Sequence, residues 1–163
     1  MTTQGLLLRS ILLLTLLPAS SLAEDASKED DKESQSLQHF TPTLTEEFKE
    51  LLRNADMEAG AAFFDKKCST CHDIAEDGIN QKGPLLWNVF GRKAGTAEGF
   101  EYSEAMKNSG HSWDFATLNY YLTRTDRAVP GRIMNFRGIP EDEIRANLLA
   151  YIMKFNTEPP ELP

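Results

Sequence analysis

The stretch Cys68-Ser69-Thr70-Cys71-His72 (CSTCH) holds both cysteines of the 163-residue chain and one of its three histidines. Two thiols at this spacing have four ordinary fates: a disulfide, a thioredoxin-type redox pair, part of a zinc site, or attachment points for a larger group. A bridge from Cys68 to Cys71 would close a very short loop and remove little entropy from the unfolded chain. A thioredoxin-type pair belongs to a βαβ setting, and no strand is predicted ahead of this one. A structural zinc takes about four ligands. Beyond His72 only His39 and His111 are left to complete it, at no matching spacing.

Upstream of the motif, residues 1–23 read as a targeting segment. MTTQGLLLRS carries Arg9 and no acid, Ile11 to Leu17 is an apolar run, Pro18 breaks it, and Ser21 and Ala23 place small residues before a cleavage point. This is the pattern of a secretory signal peptide. The run is far shorter than the roughly 20 apolar residues of a membrane span, and no cysteine follows it to take a lipid. Export puts the mature chain in an oxidising compartment, the periplasm of a bacterium. Residues 24–53 then form an acidic leader, with 9 acids against 4 cations. EDASKEDDKESQSLQHF has too few apolar residues to offset its ordering entropy, so the leader is predicted to be mostly disordered. Leu44, Phe48, Leu51 and Leu52 fall near helical spacing and leave room for a short helix at its end.

Residues 54–163 read as one all-α domain. Asn54 or Asp56 can cap a helix through MEAGAAFFDKKC. A short helix is predicted from Ser103 to near Gly110. WDFATLNYYLT forms another, with Phe115, Leu118 and Leu122 on one side. After Pro140, Ile144, Leu148, Tyr151, Ile152 and Phe155 repeat at helical period behind an acidic first turn. Glycine- and proline-marked loops separate these elements, and no segment alternates as a strand does. Such a domain, about 110 residues long, is small for an unaided core, which suggests that another group fills its centre. The chain has 17 Lys+Arg against 25 Asp+Glu, a net charge of −8. That excludes nucleic acid as a main partner, because phosphate contacts require a basic face.

Export and an all-helical setting leave the fourth fate, covalent attachment of a c-type haem. Two thiols at this spacing add across the two vinyl groups of haem, and the adjacent imidazole of His72 reaches the iron. A sixth ligand would come from Met57, Met106, Met134, Met153, His39 or His111. Met57 and Met153 lie in helices and His39 in the leader. Met134 lies in AVPGRIMNFRGIP, an irregular loop stiffened by Pro130 and opened by Gly131, where a side chain can be brought over a haem face. Met/His ligation suits electron transfer, whereas an open iron site suits catalysis.

At this point residues 56–157 resemble class I cytochrome c, close to the mitochondrial and soluble c2-type members. The likeness runs in order through Gly60 and Phe64, CSTCH, KGPLLWNVFGRKAG with Pro84, Gly91 and Arg92, GFEYSEAM with Tyr102, then Trp113, Tyr121, VPGRIMNF with Met134 and Phe136, and LLAYI with Tyr151. The resemblance implies a cytochrome c fold: four to five helices around one covalently bound haem c, with the first and last helices crossed. It implies thioether bonds at Cys68 and Cys71, and iron ligation by His72 and Met134. Pro84 would accept the other His72 N–H through its carbonyl. Tyr102 and Trp113 would donate to a buried haem propionate, with Arg92 beside it. Tyr121 would reach the Met134 sulfur, Phe136 would cover the haem edge, and Gly60 would let the first and last helices cross closely.

Three departures from the family accompany this match. Met106 stands where the family often has a polar residue, and Arg132 where it often has threonine. Thr125 and Asp126 replace a usual proline and lysine, so the Met-bearing loop is expected to be held differently. The resemblance implies a monomeric one-electron carrier rather than an enzyme. Its donor would be a quinol-oxidising complex or a dehydrogenase. Its acceptor would be an oxidase, peroxidase or reaction centre, met by transient docking at the membrane. The alternatives are a dedicated subunit of a dehydrogenase complex, or a peroxidase-like haem enzyme if Met134 does not bind iron. Between Leu122 and Gly138 four arginines face one acid, Asp126, and this cationic patch would steer the carrier to acidic docking sites.

Overall fold

The computed structural model describes residues 35–163. The expected signal peptide, and the leader as far as residue 34, lie outside the described residues. Six helices are present among the rest: α1 Glu46–Arg53, α2 Met57–Lys67, α3 Glu104–Lys107, α4 Phe115–Thr123, α5 Thr125–Ala128 and α6 Asp142–Met153. Among the described residues there is no strand; a single antiparallel bridge joins Lys93 and Ser112. The fold is the all-α one expected.

Local chemistry sets where these helices start. Asp56 caps α2 by accepting from the backbone N–H groups of Glu58 and Ala59, at 2.9 and 3.0 Å. Ser103 caps α3 at the Met106 N–H. Asp114 and Thr117 form a reciprocal capping box at the start of α4, which satisfies two N–H groups that the first turn leaves open. Acids in the first turn of α6, Asp142 and Glu143, meet the positive end of its dipole.

Helices α2 and α6 cross at Gly60. A Cβ placed there would stand 2.2 Å from the Asn147 carbonyl oxygen and 2.9 Å from the Tyr151 Cβ, so only glycine permits this approach. Below the crossing the rings of Phe64 and Tyr151 meet at 5.9 Å, and the Asn147 side chain accepts from the Asp56 N–H at 2.9 Å. Helices α1 and α4 also pack on α6. The shared core takes in Leu52, Phe64, Trp113, Leu118, Val129, Leu148 and Leu149.

Two segments differ from expectation. In the 24–53 leader the short helix allowed at its end forms as α1, and the difference is that the chain ahead of it, from residue 35, is held against the domain as well. Phe48 and Leu52 of α1 are buried against the domain, as is Leu37, whose N–H donates to the Ala128 carbonyl at 2.8 Å. The apolar residues of this stretch are few, but their spacing puts them on one surface, and a charge-rich average conceals that. The second difference is α5, where the sequence suggested only loop. It buries Thr125 and Ala128 almost completely, and it sits directly before the loop that carries Met134.

Candidate haem-attachment site

CSTCH begins where α2 ends. Cys68 is the C-cap of that helix, and the chain then turns tightly: the N–H groups of Cys71 and His72 both donate to the Cys68 carbonyl, at 3.0 and 2.9 Å. The two cysteines are therefore held within one turn, unbridged and half-buried. Burial, with Cys71 beside it, pushes the Cys68 thiol up to about 11. It stays a thiol at neutral pH, the less readily oxidised form.

His72 is fixed by the loop that follows. Its Nδ1 donates to the Pro84 carbonyl at 2.7 Å. Burial lowers its pKa, the Pro84 carbonyl pulls the other way, and the Arg92 charge adds to the lowering. The ring is thus neutral with Nδ1–H committed, which leaves the Nε2 lone pair for a metal. The loop is laced back to the motif: Gly83 N–H donates to the Cys71 carbonyl at 2.8 Å, and Leu86 N–H to the Asp73 carbonyl at 2.8 Å. Gly83 also makes the cradle for the imidazole, since a Cβ there would lie 2.3 Å from the His72 Cε1.

A chain of contacts runs from this loop to Met134. The Arg92 guanidinium donates to the Leu85 carbonyl at 2.9 Å and the Trp87 carbonyl at 3.3 Å. Arg92 and Trp113 are joined through the backbone, with Trp113 N–H donating to the Arg92 carbonyl at 2.9 Å. Tyr102 is near enough to Arg92 for that charge to oppose the upward push of burial on its phenol. The rings of Trp113 and Tyr121 lie 5.1 Å apart, and the Tyr121 hydroxyl donates to the Met134 sulfur at 3.8 Å. Phe136, half-buried, is tied in through its carbonyl, which accepts from the Thr125 hydroxyl. A cleft of about 380 Å³ opens between Ile79, Asn80, Leu85, Arg92 and Ala97. It touches Arg92 alone among the predicted site residues.

The residues at the motif departures form a network of their own. Thr125 donates to the Phe136 carbonyl and accepts from Arg132 Nε at 2.6 Å, while its own N–H donates to the Arg137 carbonyl at 3.1 Å. Arg132 and Thr125 are seven residues apart, and each explains the other. Met106 is buried in α3, within the core. Gly83 and the buried Arg145 were not singled out from sequence; Gly83 lies inside the KGP stretch, but nothing local marks Arg145.

Two unbridged thiols on one turn, an imidazole with one nitrogen committed, a cradle that excludes a Cβ and a thioether held by a phenol fit a haem better than a bare ion. Among the described residues no cluster of three or more His, Cys, Asp or Glu side chains could hold an ion.

Comparison with known proteins gives the family. The family model for cytochrome c matches residues 57–156. The chain is 45% identical over 103 residues to cytochrome c2 of Rhodoplanes tepidamans, covering 63% of this chain and 95% of that protein. It is 46% identical over 103 residues to cytochrome c2 of Rhodoblastus acidophilus, with the same coverage. To cytochrome c of Gibberella zeae it is 37% identical over 101 residues, 62% of this chain and 95% of that protein. The chain therefore belongs to the cytochrome c family, among its class I, c2-type monohaem members, which carry one covalently attached haem c.

Proposed function

We propose that the chain is a one-electron carrier whose iron is ligated by His72 and Met134, with thioether bonds at Cys68 and Cys71. The observation that carries this reading is the 3.8 Å hydrogen bond from the Tyr121 hydroxyl to the Met134 sulfur, which anchors a thioether on an otherwise irregular loop. When bound, the haem supplies the Fe(II)/Fe(III) couple. The chain's residues do the rest. Pro84 holds the His72 ring and raises its basicity. Arg92, Tyr102 and Trp113 are grouped to receive a propionate, the cation lowering the cost of burying that charge. Met134 leaves no open position for a substrate, which favours electron transfer over catalysis. Phe136 would cover the haem edge.

In this reading residues 1–23 export the chain to the periplasm, where it works as a monomer. It takes electrons from a quinol-oxidising complex or a dehydrogenase and passes them to an oxidase, peroxidase or reaction centre. The test is a visible spectrum and midpoint potential of the purified protein, alongside Met134→Ala. The weak far-red band of methionine-bound ferric iron is expected in the native protein and absent from the variant. A band that survives in Met134→Ala means another methionine is the ligand. A native protein without the band, reacting with peroxide, is the peroxidase-like enzyme instead. Constant elution in a stoichiometric complex would identify a dedicated dehydrogenase subunit.

A further inference from the structure

Residues 35–53 lie outside the stretch that the family model matches, yet they reach the entry of the loop that carries Met134 directly and its exit through Arg145. We infer that this segment is a clamp: it holds the loop closed and so sets how readily Met134 gives up its place. The inference rests on the ligation by Met134 proposed above.

At the entry to the loop, Leu37 is buried and donates its N–H to the Ala128 carbonyl at 2.8 Å. Ala128 ends α5, and Val129, Pro130 and the positive-φ Gly131 lead from it toward Met134. Two further contacts fasten the same end. The Tyr120 hydroxyl donates to the Gln35 carbonyl at 2.7 Å, and the Phe40 ring lies 4.9 Å from the Tyr120 ring. The Arg127 guanidinium sits 4.7 Å from that tyrosine's centroid, so α5 and the segment share one anchor on α4.

At the exit, Arg145 is 3% exposed, and its side chain donates to the Ile139 and Pro140 carbonyls at 2.6 and 2.8 Å, and to the Asn119 side chain at 2.8 Å. It also pairs with Asp142. Phe48 of α1 lies against the guanidinium, 5.6 Å from ring centroid to Cζ. Arg145 thus fixes the loop's return to α6, and Phe48 shields it. Between the two ends the loop is held by its Thr125 and Arg132 bonds and by the Tyr121 hydroxyl on the Met134 sulfur. For the loop to swing out, both fastenings must give way. Weakening either one raises the open population exponentially with the free energy lost.

The experiment uses the full haem-loaded chain and imidazole, a small ligand that takes the iron position whenever Met134 vacates it. Two variants are compared with the parent: Leu37→Ala with Tyr120→Phe for the entry, and Phe48→Ala for the exit. Each is expected to tighten apparent imidazole binding about tenfold, the weight of one or two ordinary hydrogen bonds. Amide exchange at Thr125 and Ile139 should quicken by a similar factor while the amides of α2 keep their protection. Unchanged imidazole affinity and exchange in both variants would overturn the clamp, as would equal acceleration in α2 and the loop, which is general loosening. Should the parent lack the far-red methionine band, the ligation reading itself fails. The clamp is then decided on exchange alone: selective acceleration at Thr125 and Ile139 supports it, and uniform or absent acceleration refutes it.

Discussion

Tyr121 donates its hydroxyl to the Met134 sulfur at 3.8 Å from a position that is 6% exposed. Burial pushes its phenol far above the usual range, so it remains a donor at any working pH. A donor on sulfur draws electron density from the lone pair that would bind iron, which weakens the preference for the ferric state. Tyr121→Phe keeps the ring and deletes the donor. The midpoint potential should fall by about 20–40 mV. A hydrogen bond of about 0.5–1 kcal/mol converts to that range because a tenfold change in a one-electron equilibrium is about 59 mV. Redox titration followed by visible absorbance checks it, and an unchanged or raised potential counts against Tyr121 as the tuning group. His72 gets its orientation from the backbone instead. The Pro84 carbonyl selects the tautomer, and Gly83 makes the room.

Among the elements, the crossing of α2 and α6 carries most of the fold. Gly60→Ala places a methyl 2.2 Å from a backbone oxygen and 2.8 Å from its carbon, atoms that cannot rotate away. The helices must part, and the Asp56–Asn147 bond goes with them. Overpacking of this kind costs about 1–3 kcal/mol and sometimes more. Better helix propensity returns up to about 1 kcal/mol, so a net loss of about 1–2 kcal/mol is expected. It would appear as a lower urea midpoint at constant slope, and a midpoint that rises would show the crossing to be looser than drawn. Which elements were legible in the sequence follows from how local their causes are. Helices α2, α3, α4 and α6 announce themselves through Asp56, Ser103, the aromatic face of WDFATLNYYLT and the period of Ile144 to Phe155. CSTCH is contiguous, so the attachment site was legible as well. Helix α5 was not, being four residues long with no side-chain cap. Residues 35–40 read as part of a disordered leader because Leu37 finds its partner on α5, far along the chain, whereas the spacing of Leu44, Phe48, Leu51 and Leu52 already allowed α1. Arg145 escaped notice for the same reason. In DEIRANLL it reads as a solvent-facing cation, and only the folded chain brings Asn119, Ile139 and Pro140 to it. Thr125 and Arg132 were visible only as departures, since each acquires a purpose from the other.

The molecule as a whole answers to pH and to salt. His111 lies against Trp113 with ring centroids 4.3 Å apart, and its Nε2 is buried without a hydrogen-bond partner. Burial lowers its pKa, against the opposing pull of the Ser109 carbonyl and of Asp114. The native state therefore refuses a proton that the unfolded chain accepts at its ordinary value of about 6.5. Between that pH and the lowered native value the unfolded state binds more protons, so stability rises with pH there and falls on acidification. Denaturant unfolding from pH 7 to pH 5 should show this decline, and His111→Leu should flatten it; an equal slope in the variant would assign the decline to other groups. Salt acts through the arginines between Leu122 and Gly138. Arg124 is spent on Asp126, paired at 3.0 Å, and with that partner Asp126 is pulled down to about 2. The pair stays charged and mutually cancelled at working pH. Arg127, Arg132 and Arg137 are left as net positive charge on a chain whose total is −8. Next to Met134 in the chain, Ile133 is 67% exposed. Steering by such a cluster of charge is strong at low salt and fades as the Debye length shrinks to about 3 Å at 1 M. The bimolecular rate of electron exchange with an acidic redox protein should therefore fall as salt is added. Arg137→Glu, at an exposed position, should slow exchange by about 3- to 10-fold at low salt and converge with the parent at high salt. Stopped-flow rates over an ionic-strength series decide it. Parallel curves for parent and variant would place the docking surface elsewhere on the molecule.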